Sequence, residues 1–162
     1  MTLSLPLGIS NPSEMSRIFP GRYDSLASIG QFVRAQALQS GLDEKAVYQV
    51  EMAIDEACSN IIEHAYGAES DGEISLTCRN SAEGLTVILR DTGKPFDPKA
   101  VDMPDLTADL EERESHGLGL FFIYEWMDQV HYDYQPGVGN ILTMFKRRGS
   151  PRISSGQSAV HP

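Results

Sequence analysis

The stretch VEMAIDEACSNIIEHAYG, residues 50–67, decides the fold because it carries the clearest helical periodicity in the chain. Apolar residues in and just before it recur in alternating steps of three and four, the spacing of one buried helix face: Val47, Val50, Ile54, Ala57 and Ile61. The acidic residues Asp43 and Glu44 suit a helix N-terminus. The pattern therefore predicts a core helix from Asp43 to Gly67.

Three polar side chains lie along one edge of this predicted buried face. Glu56, Asn60 and His64 follow each other at intervals of four residues and so form a row on the helix. The row can be a solvated border, in which Glu56 and Asn60 bond to each other or to water. It can also be functional, with Asn60 offering a hard oxygen to Mg²⁺ and Glu56 accepting a proton from an attacking hydroxyl. Spacing alone does not decide between the two.

The segments around this helix predict an α+β fold. Helical or strand-like patterns occur, in chain order, at 14–19 (strand), 24–41 (helix), 73–80 and 85–91 (hairpin), 116–130 (helix, apolar nearly all round), and 130–135 and 139–148 (hairpin). Helices and strands are grouped and do not alternate. This order predicts a two-layer α/β sandwich with a mostly antiparallel mixed sheet, covered on one face by helices.

A chain of 162 residues is expected to form one domain. We expect an irregular arm at 1–13, the domain at 14–147, and a disordered tail of low apolar content at 148–162. The stretch from about 92 to 116 is far longer than an ordinary connection of about 4–6 residues. It is therefore predicted to be a functional loop or lid.

Composition excludes several classes of protein. The formal net charge of −10 has the wrong sign for a surface that binds nucleic-acid phosphates or anionic lipid. No apolar run approaches the roughly 20 residues of a membrane span, and the first residues do not resemble a secretory signal. We therefore expect a cytoplasmic protein, in which Cys58 and Cys78 are reduced packing thiols.

A second motif, RDTGKPFDP at residues 90–98, places Asp91 at a strand end before a turn that contains Gly93 and Pro95. A carboxylate in this position, with a glycine that allows close approach, can accept a hydrogen bond from an exocyclic amine such as that of adenine. An ordinary Asx turn fits the same residues.

A third motif, SHGLGLFF at residues 115–122, opens a helix directly after the predicted lid. Bare N–H groups at Gly117 and Gly119, together with the helix dipole, favour a phosphate group. Glycine at a helix entry can also serve close packing alone. The preceding lid favours the ligand-binding interpretation.

Together these segments resemble a known superfamily. EACSNIIEHAYG, DTGKPFDP, HGLGLFFI and GVGNILTMF look like the N, G1, G2 and final boxes of the GHKL ATPases, which include DNA gyrase and the sensor histidine kinases. The short form, without a dimerisation segment that carries a phosphorylatable histidine, is most similar to the bacterial anti-sigma-factor serine-protein kinases. The resemblance covers about residues 14–147 and implies the Bergerat ATP-binding fold.

The resemblance also implies roles for the residues of the first two boxes. Asn60 would bind the Mg²⁺ that bridges the ATP phosphates, and Glu56 would be the general base. Asp91 would recognise the adenine amino group, with Gly93 permitting approach of the base. His64 would support the site near the nucleotide.

The resemblance places the phosphates near residues at the two ends of the lid and directly after it: Lys94, Arg113, His116, Gly117, Leu118 and Gly119. The family commonly has a basic residue just before the G2 glycines, where this chain has Ser115 and His116. Phosphate charge would then be neutralised by Arg113, by Lys94, or mainly by Mg²⁺.

The final box departs from the family pattern as well. It usually reads Gly-Thr, whereas Gly139 is followed here by Asn140. Asn140 or Thr143 is expected to replace the threonine contact near the base.

The resemblance implies an ATP-dependent serine/threonine-protein kinase that regulates a sigma factor by binding it, by phosphorylating an anti-sigma-factor antagonist, or by both. A homodimer is expected by analogy with the family. Two alternatives stay open. One is an ATP-binding module that sequesters a partner without kinase activity, and the other is a detached histidine-kinase catalytic domain.

Overall fold

The computed structural model describes residues 13–67, 71–102 and 118–149. The strands within these ranges are β1 (Glu14–Pro20), β2 (Glu73–Asn80), β3 (Gly84–Asp91), β4 (Gln129–Gln135) and β5 (Gly139–Arg147). The α-helices are α1 (Leu26–Gln39), α2 (Glu44–Asn60) and α3 (Leu118–Trp126). Short 3₁₀ turns occupy Tyr23–Ser25 and Pro98–Ala100. The order of elements agrees with the predicted α+β class.

The strands form one sheet in the order β1-β2-β3-β5-β4. All four pairings between neighbours are antiparallel. The expectation of a mixed sheet is therefore wrong for the described strands, which contain no parallel pair. Strand β3 is central, and its last residue, Asp91, lies directly opposite Asn140 of β5. This register brings the G1 and final boxes together.

The core lies between the sheet and the helices. Alternate residues of β2 and β3 face the helices and are at most 1% exposed: Ile74, Leu76, Cys78, Leu85, Val87 and Leu89. Opposite them, the predicted apolar face of α2 is buried along its whole length. Helix α2 contacts both α1 and α3. Helices therefore cover one face of the sheet, as the sequence predicts for a two-layer sandwich.

Helix α2 begins as predicted but ends differently. The side chain of Asp43 caps it by accepting a hydrogen bond from the backbone N–H of Ala46 at 2.8 Å. The α-helix stops at Asn60, and residues Ile61–Ala65 wind as a π-helix. The N–H of Tyr66 accordingly donates to the carbonyl of Ile61, five residues back, at 3.0 Å. The predicted continuous helix to Gly67 is wrong in this last part.

Helix α3 is shorter and less enclosed than predicted. The helix ends at Trp126. The N–H of Asp128 already donates to the carbonyl of Phe145 in β5, and strand β4 begins at Gln129. Leu120 and Ile123 are buried, but Tyr124 is 41% exposed. The nearly all-round apolar pattern predicts a helix sandwiched against other layers, and this expectation is wrong on the side of Tyr124. Its aromatic side chains partly cover each other, since the rings of Phe122 and Trp126 stack with centroids 4.8 Å apart.

Most of the predicted lid, arm and tail lies outside the described residues. The described part of the lid, residues 92–102, contains the 3₁₀ turn that Asp97 caps by accepting from the N–H of Lys99. Arg148, assigned to the tail, is held in place instead. Its guanidinium donates to the carbonyl of Ser40, and its backbone N–H donates to the carbonyl of Glu83 at 2.8 Å.

The two cysteines are free and buried. Burial raises the pKa of Cys78 to about 12 and the pKa of Cys58 still further above its ordinary range. Both groups therefore stay neutral near pH 7, in agreement with the predicted packing thiols. Across the described ranges, no helix combines the length and the apolar character that a bilayer crossing requires.

Candidate functional site

An open cavity with about 540 Å³ of empty space lies between the end of α2, the π-helix and the ends of β3 and β5. Five predicted site residues line it: Asn60, His64, Asp91, Lys94 and Asn140. The other lining residues are apolar or aromatic: Ala57, Ile61, Ala65, Pro95, Phe96, Tyr132 and Leu142. The structure therefore brings the N, G1 and final boxes to one largely apolar cavity.

The close approach of β5 to β3 shapes one end of the cavity. Gly139 has a φ of 118°, which favours glycine. A β-carbon there would also collide with the carbonyl oxygen of Asp91. The glycine of the final box is thus required where β5 passes the end of β3. The next residue, Asn140, can then lie beside the Asp91 carboxylate.

Asp91 lines the cavity with a carboxylate of which one oxygen is bonded and the other is unpaired in the described residues. The side chain is 5% exposed, and Oδ1 accepts hydrogen bonds from the N–H of Gly93 and from Nδ2 of Asn140, both at 2.9 Å. Within the described residues Oδ2 has no hydrogen-bond partner. Burial raises the pKa of Asp91, and the bonds from Asn140 and Gly93 oppose this rise because they stabilise the charged form.

Asn140 holds the loop that follows β3. Its Nδ2 also donates to the carbonyl of Lys94 at 2.8 Å, and its Oδ1 accepts from the N–H of Phe96 at 2.9 Å. The amide is 7% exposed. Both N–H donors and the oxygen of the amide bond to the protein, so Asn140 supports Asp91 and the loop.

The π-helix positions the same loop from the other side. The carbonyl of Ala65 accepts a hydrogen bond from the N–H of Lys94 at 3.1 Å. A β-carbon on Gly93 would lie 2.5 Å from Cβ and 2.6 Å from the carbonyl oxygen of Ala65. Gly93 is therefore needed for close packing against the π-helix. This reason differs from the expected approach of a base.

Glu56 and Asn60 meet the first turn of α3. A β-carbon on Gly119 would lie 2.5 Å from Oε2 of Glu56 and 3.8 Å from Nδ2 of Asn60. Within the described part of the chain, neither polar side chain has a hydrogen bond or ion pair, so they do not bond to each other. Burial, and next the charge of Asp55, raise the pKa of Glu56 above its ordinary value. Two uncommitted polar groups thus lie next to the first turn of α3, and one of them, Asn60, also lines the cavity.

The remaining predicted residues are placed differently. His64 and Lys94 line the cavity and are exposed to solvent. Leu118 is half-buried at the start of α3. Thr143 lies on the opposite face of the sheet from Asn140, because side chains alternate along β5. Thr143 therefore does not reach the cavity. Arg113, His116 and Gly117 lie outside the described residues.

Two aromatic residues of the site were missed from the sequence. The rings of Phe96 and Tyr132 have centroids 5.1 Å apart at an interplanar angle of 50°, and both line the cavity. Phe96 lies within the quoted G1 motif and could have been noticed there. Tyr132 lies in an unremarkable strand, and only the pairing of Tyr132 with Leu142 of β5 brings it to the site.

This geometry suits a flat heteroaromatic group joined to an anion. Apolar and aromatic walls can bury a ring, and Oδ2 of Asp91 can accept a hydrogen bond from it. Asn60 and Glu56, near α3, offer an amide oxygen and a carboxylate that can serve metal binding and proton transfer.

Residues 19–146 match the profile of the histidine kinase-like ATPase domain. This match spans most of the chain, and the chain therefore belongs to the histidine kinase-like ATPase family. Among its relatives, the serine-protein kinase RsbW of Listeria monocytogenes serovar 1/2a is 32% identical over 113 residues, which are 67% of this chain and 72% of the relative. The serine-protein kinase RsbW of a Bacillus cereus strain is 28% identical over 133 residues, covering 80% and 82% of the two chains.

A solved structure has the same fold. The crystal structure of the RsbU and RsbW domains of a Mycobacterium tuberculosis protein aligns with a TM-score of 0.59 at 16% identity. The alignment covers 85% of this chain and 33% of the longer one. At this identity the likeness concerns the fold alone.

Proposed function

We propose that this chain is an ATP-dependent serine/threonine-protein kinase. One observation carries the proposal: a largely apolar cavity, lined by Asp91 with Oδ2 unpaired in the described residues, lies beside the uncommitted Glu56 and Asn60 next to α3. Relatives with 28–32% identity are named serine-protein kinases, which supports the same class.

The cavity would bind the adenine ring. Phe96, Tyr132 and Ile61 supply apolar contact area, and Asp91 Oδ2 accepts a hydrogen bond from the exocyclic amine. Burial of Asp91 strengthens this bond because little water competes for the carboxylate. His64 and Lys94, exposed at the rim, would lie towards the ribose and phosphates.

Asn60 is the residue that would hold Mg²⁺. The described residues contain no group of three His, Cys, Asp or Glu side chains able to bind a metal on their own. A single uncommitted amide fits Mg²⁺ that arrives with ATP, because this ion keeps waters and phosphate oxygens among its ligands. When bound, Mg²⁺ would neutralise charge on the phosphates.

Glu56 would act on the acceptor hydroxyl. Its carboxylate accepts the proton of a serine while the serine oxygen bonds to the γ-phosphorus, the bond to the β–γ bridging oxygen breaks, and ADP leaves. A raised pKa makes Glu56 a better proton acceptor than an ordinary glutamate. Gly117, Leu118 and Gly119, with Arg113 and His116, are proposed to face the phosphates as the lid closes.

The partner would be a protein that carries the acceptor hydroxyl. By the family resemblance we propose a sigma factor, an anti-sigma-factor antagonist, or both, in the cytoplasm, with a homodimer as the assembly. The net charge of −10 makes direct binding to nucleic acid or to an anionic membrane electrostatically unfavourable.

Transfer of labelled phosphate tests the proposal. The full chain is incubated with γ-labelled ATP, Mg²⁺ and a co-purified antagonist, and the labelled protein is treated with acid. We expect acid-stable label on a serine or threonine of the antagonist. Acid-labile label would instead indicate a histidine kinase, and ATP binding without any label would indicate a sequestering module.

A further inference from the structure

We propose that Asn140 is a positioning residue that orients the Asp91 carboxylate and thereby sets the preference of the cavity for a 6-amino purine over a 6-oxo purine. This inference rests on the proposed function, because it concerns the selectivity of that nucleotide site. It concerns a position at which the chain departs from the Gly-Thr pattern that the family resemblance implies.

The hydrogen bonds of Asn140 leave it no N–H donor to offer a ligand. An amide side chain has two N–H donors and one acceptor oxygen. One N–H is used by Asp91 Oδ1 and one by the carbonyl of Lys94, while the oxygen accepts from the N–H of Phe96. Asn140 therefore presents no free donor to a carbonyl group on a bound base.

The same bonds fix which oxygen of Asp91 is free. Gly93 and Asn140 both donate to Oδ1, one from the loop and one from the neighbouring strand, so the carboxylate cannot turn without losing a bond. Oδ2 then faces the ligand as an acceptor only. An amino group at C6 of a purine can donate to it, whereas a carbonyl at C6 is repelled.

Protonation of Asp91 would remove this preference. A neutral carboxyl group has a donor, and a donor can bind a 6-oxo group. Burial raises the pKa of Asp91, and the bond from Asn140 opposes that rise. Loss of Asn140 should therefore move the pH at which the preference is lost to a higher value.

Several other ionisable groups lie near Asp91. His64 and Lys94 face the same cavity, Tyr132 faces it from β4, and Cys58 lies behind Asp91 in the core. Burial raises the pKa of Tyr132 and of Cys58, so both are neutral in the relevant range. Repeating the measurements with His64→Gln isolates the contribution of Asp91.

The affinities for ATP and inosine triphosphate, with Mg²⁺, are measured for the full chain at about pH 4.5 to 8. Asn140→Ala is compared with the wild type and with Gln135→Ala, which removes an exposed amide near the same strand end whose hydrogen bond within the described residues goes to Asp133. We expect Asn140→Ala to reduce the ratio of ATP affinity to inosine triphosphate affinity roughly tenfold. The pH at which this ratio falls to half of its high-pH value should move upward. Gln135→Ala should behave as the wild type.

Asn140→Thr keeps the experiment informative if the alanine variant unfolds. Its hydroxyl can still donate to Asp91 but cannot replace both bonds to the loop, so the pH midpoint should return towards the wild-type value while both affinities fall. Equal weakening of both nucleotides by Asn140→Ala without a shift in midpoint would overturn the inference. A wild-type chain that binds neither nucleotide would instead overturn the proposed function and this inference with it.

Discussion

Gly119 of α3 lies against Glu56 of α2 so closely that a β-carbon at position 119 would stand 2.5 Å from Oε2 of Glu56. The resemblance assigned this glycine to closure of the lid. In the structure it also makes room for the carboxylate that we propose as the base. The position of α3 is thereby linked to the position of Glu56, since the two share one small space.

Gly119→Ala should reduce phosphate transfer about a hundredfold, because a displacement of about 1 Å in a catalytic group can have an effect of this size. The clash falls on the end of a flexible side chain, so Glu56 can move away without unfolding of the protein. The thermal midpoint should stay the same or rise, since alanine favours a helix over glycine by about 1 kcal/mol. Transfer rate and thermal unfolding are measured on the same preparation.

Gly30→Ala is the matched control for that variant. Gly30 is also helical, and a β-carbon there would meet nothing within 4 Å. It should gain a similar amount of stability and keep full transfer activity. Undiminished transfer by Gly119→Ala would contradict the link between α3 and Glu56.

Asn60→Ala should abolish the dependence of ATP affinity on Mg²⁺. The amide of Asn60 has no partner among the described residues, so the substitution disturbs no hydrogen bond there. ATP is titrated with and without Mg²⁺, and the two curves, separated for the wild type, should coincide for the variant. Asn60→Asp retains a hard oxygen and should keep them apart. Curves of Asn60→Ala that stay as far apart as those of the wild type would rule out this ligand.

The transfer rate should fall at low pH because a base acts only when ionised. Burial, and then Asp55, raise the pKa of Glu56 above 4.5, so activity should be lost at a pH higher than for an ordinary glutamate. Asp55→Asn removes the second cause and should move this acid limb of the pH–rate profile to lower pH. An acid limb that does not respond to Asp55→Asn, or that moves upward, would argue for another base.

Glu56→Gln should raise the thermal midpoint at neutral pH. The folded-state pKa of Glu56 is above its unfolded value, so the folded chain binds this proton more tightly, and ionisation of Glu56 lowers stability as pH rises. The gain should shrink as pH falls and Glu56 becomes protonated. Glu63→Gln, at an exposed site on the π-helix, is the control and should show little change. A lower thermal midpoint for Glu56→Gln than for the wild type at neutral pH would contradict this prediction, because it would mean that the negative charge of Glu56 stabilises the fold.

The sheet and the main helices could be predicted because burial of one face is recorded in the spacing of apolar residues. Steps of three and four from Val47 to Ile61 gave α2, and the alternation at 73–80 gave β2. The π-helix could not be predicted in this way. Its last residue, Ala65, bonds through its carbonyl to the N–H of Lys94, which is remote in sequence, and such a contact leaves no periodic pattern.

The candidate site was only partly predictable for a related reason. Asn60 and Asp91 follow from motifs and their order, but the role of Asn140 depends on the register that places it opposite Asp91. The same strand separates Asn140 from Thr143, because residues three apart in a strand face opposite sides. Alternation alone could have excluded Thr143 once Asn140 was assigned to the site.

The most direct measurement of the central claim compares Glu56→Gln with the wild type in two assays, ATP affinity and phosphoserine formed on the antagonist. Glutamine keeps the size of the side chain but cannot accept the proton. We expect unchanged ATP affinity and a loss of transfer of about a hundredfold or more. Phosphorylation of the antagonist by Glu56→Gln at the wild-type rate would contradict it.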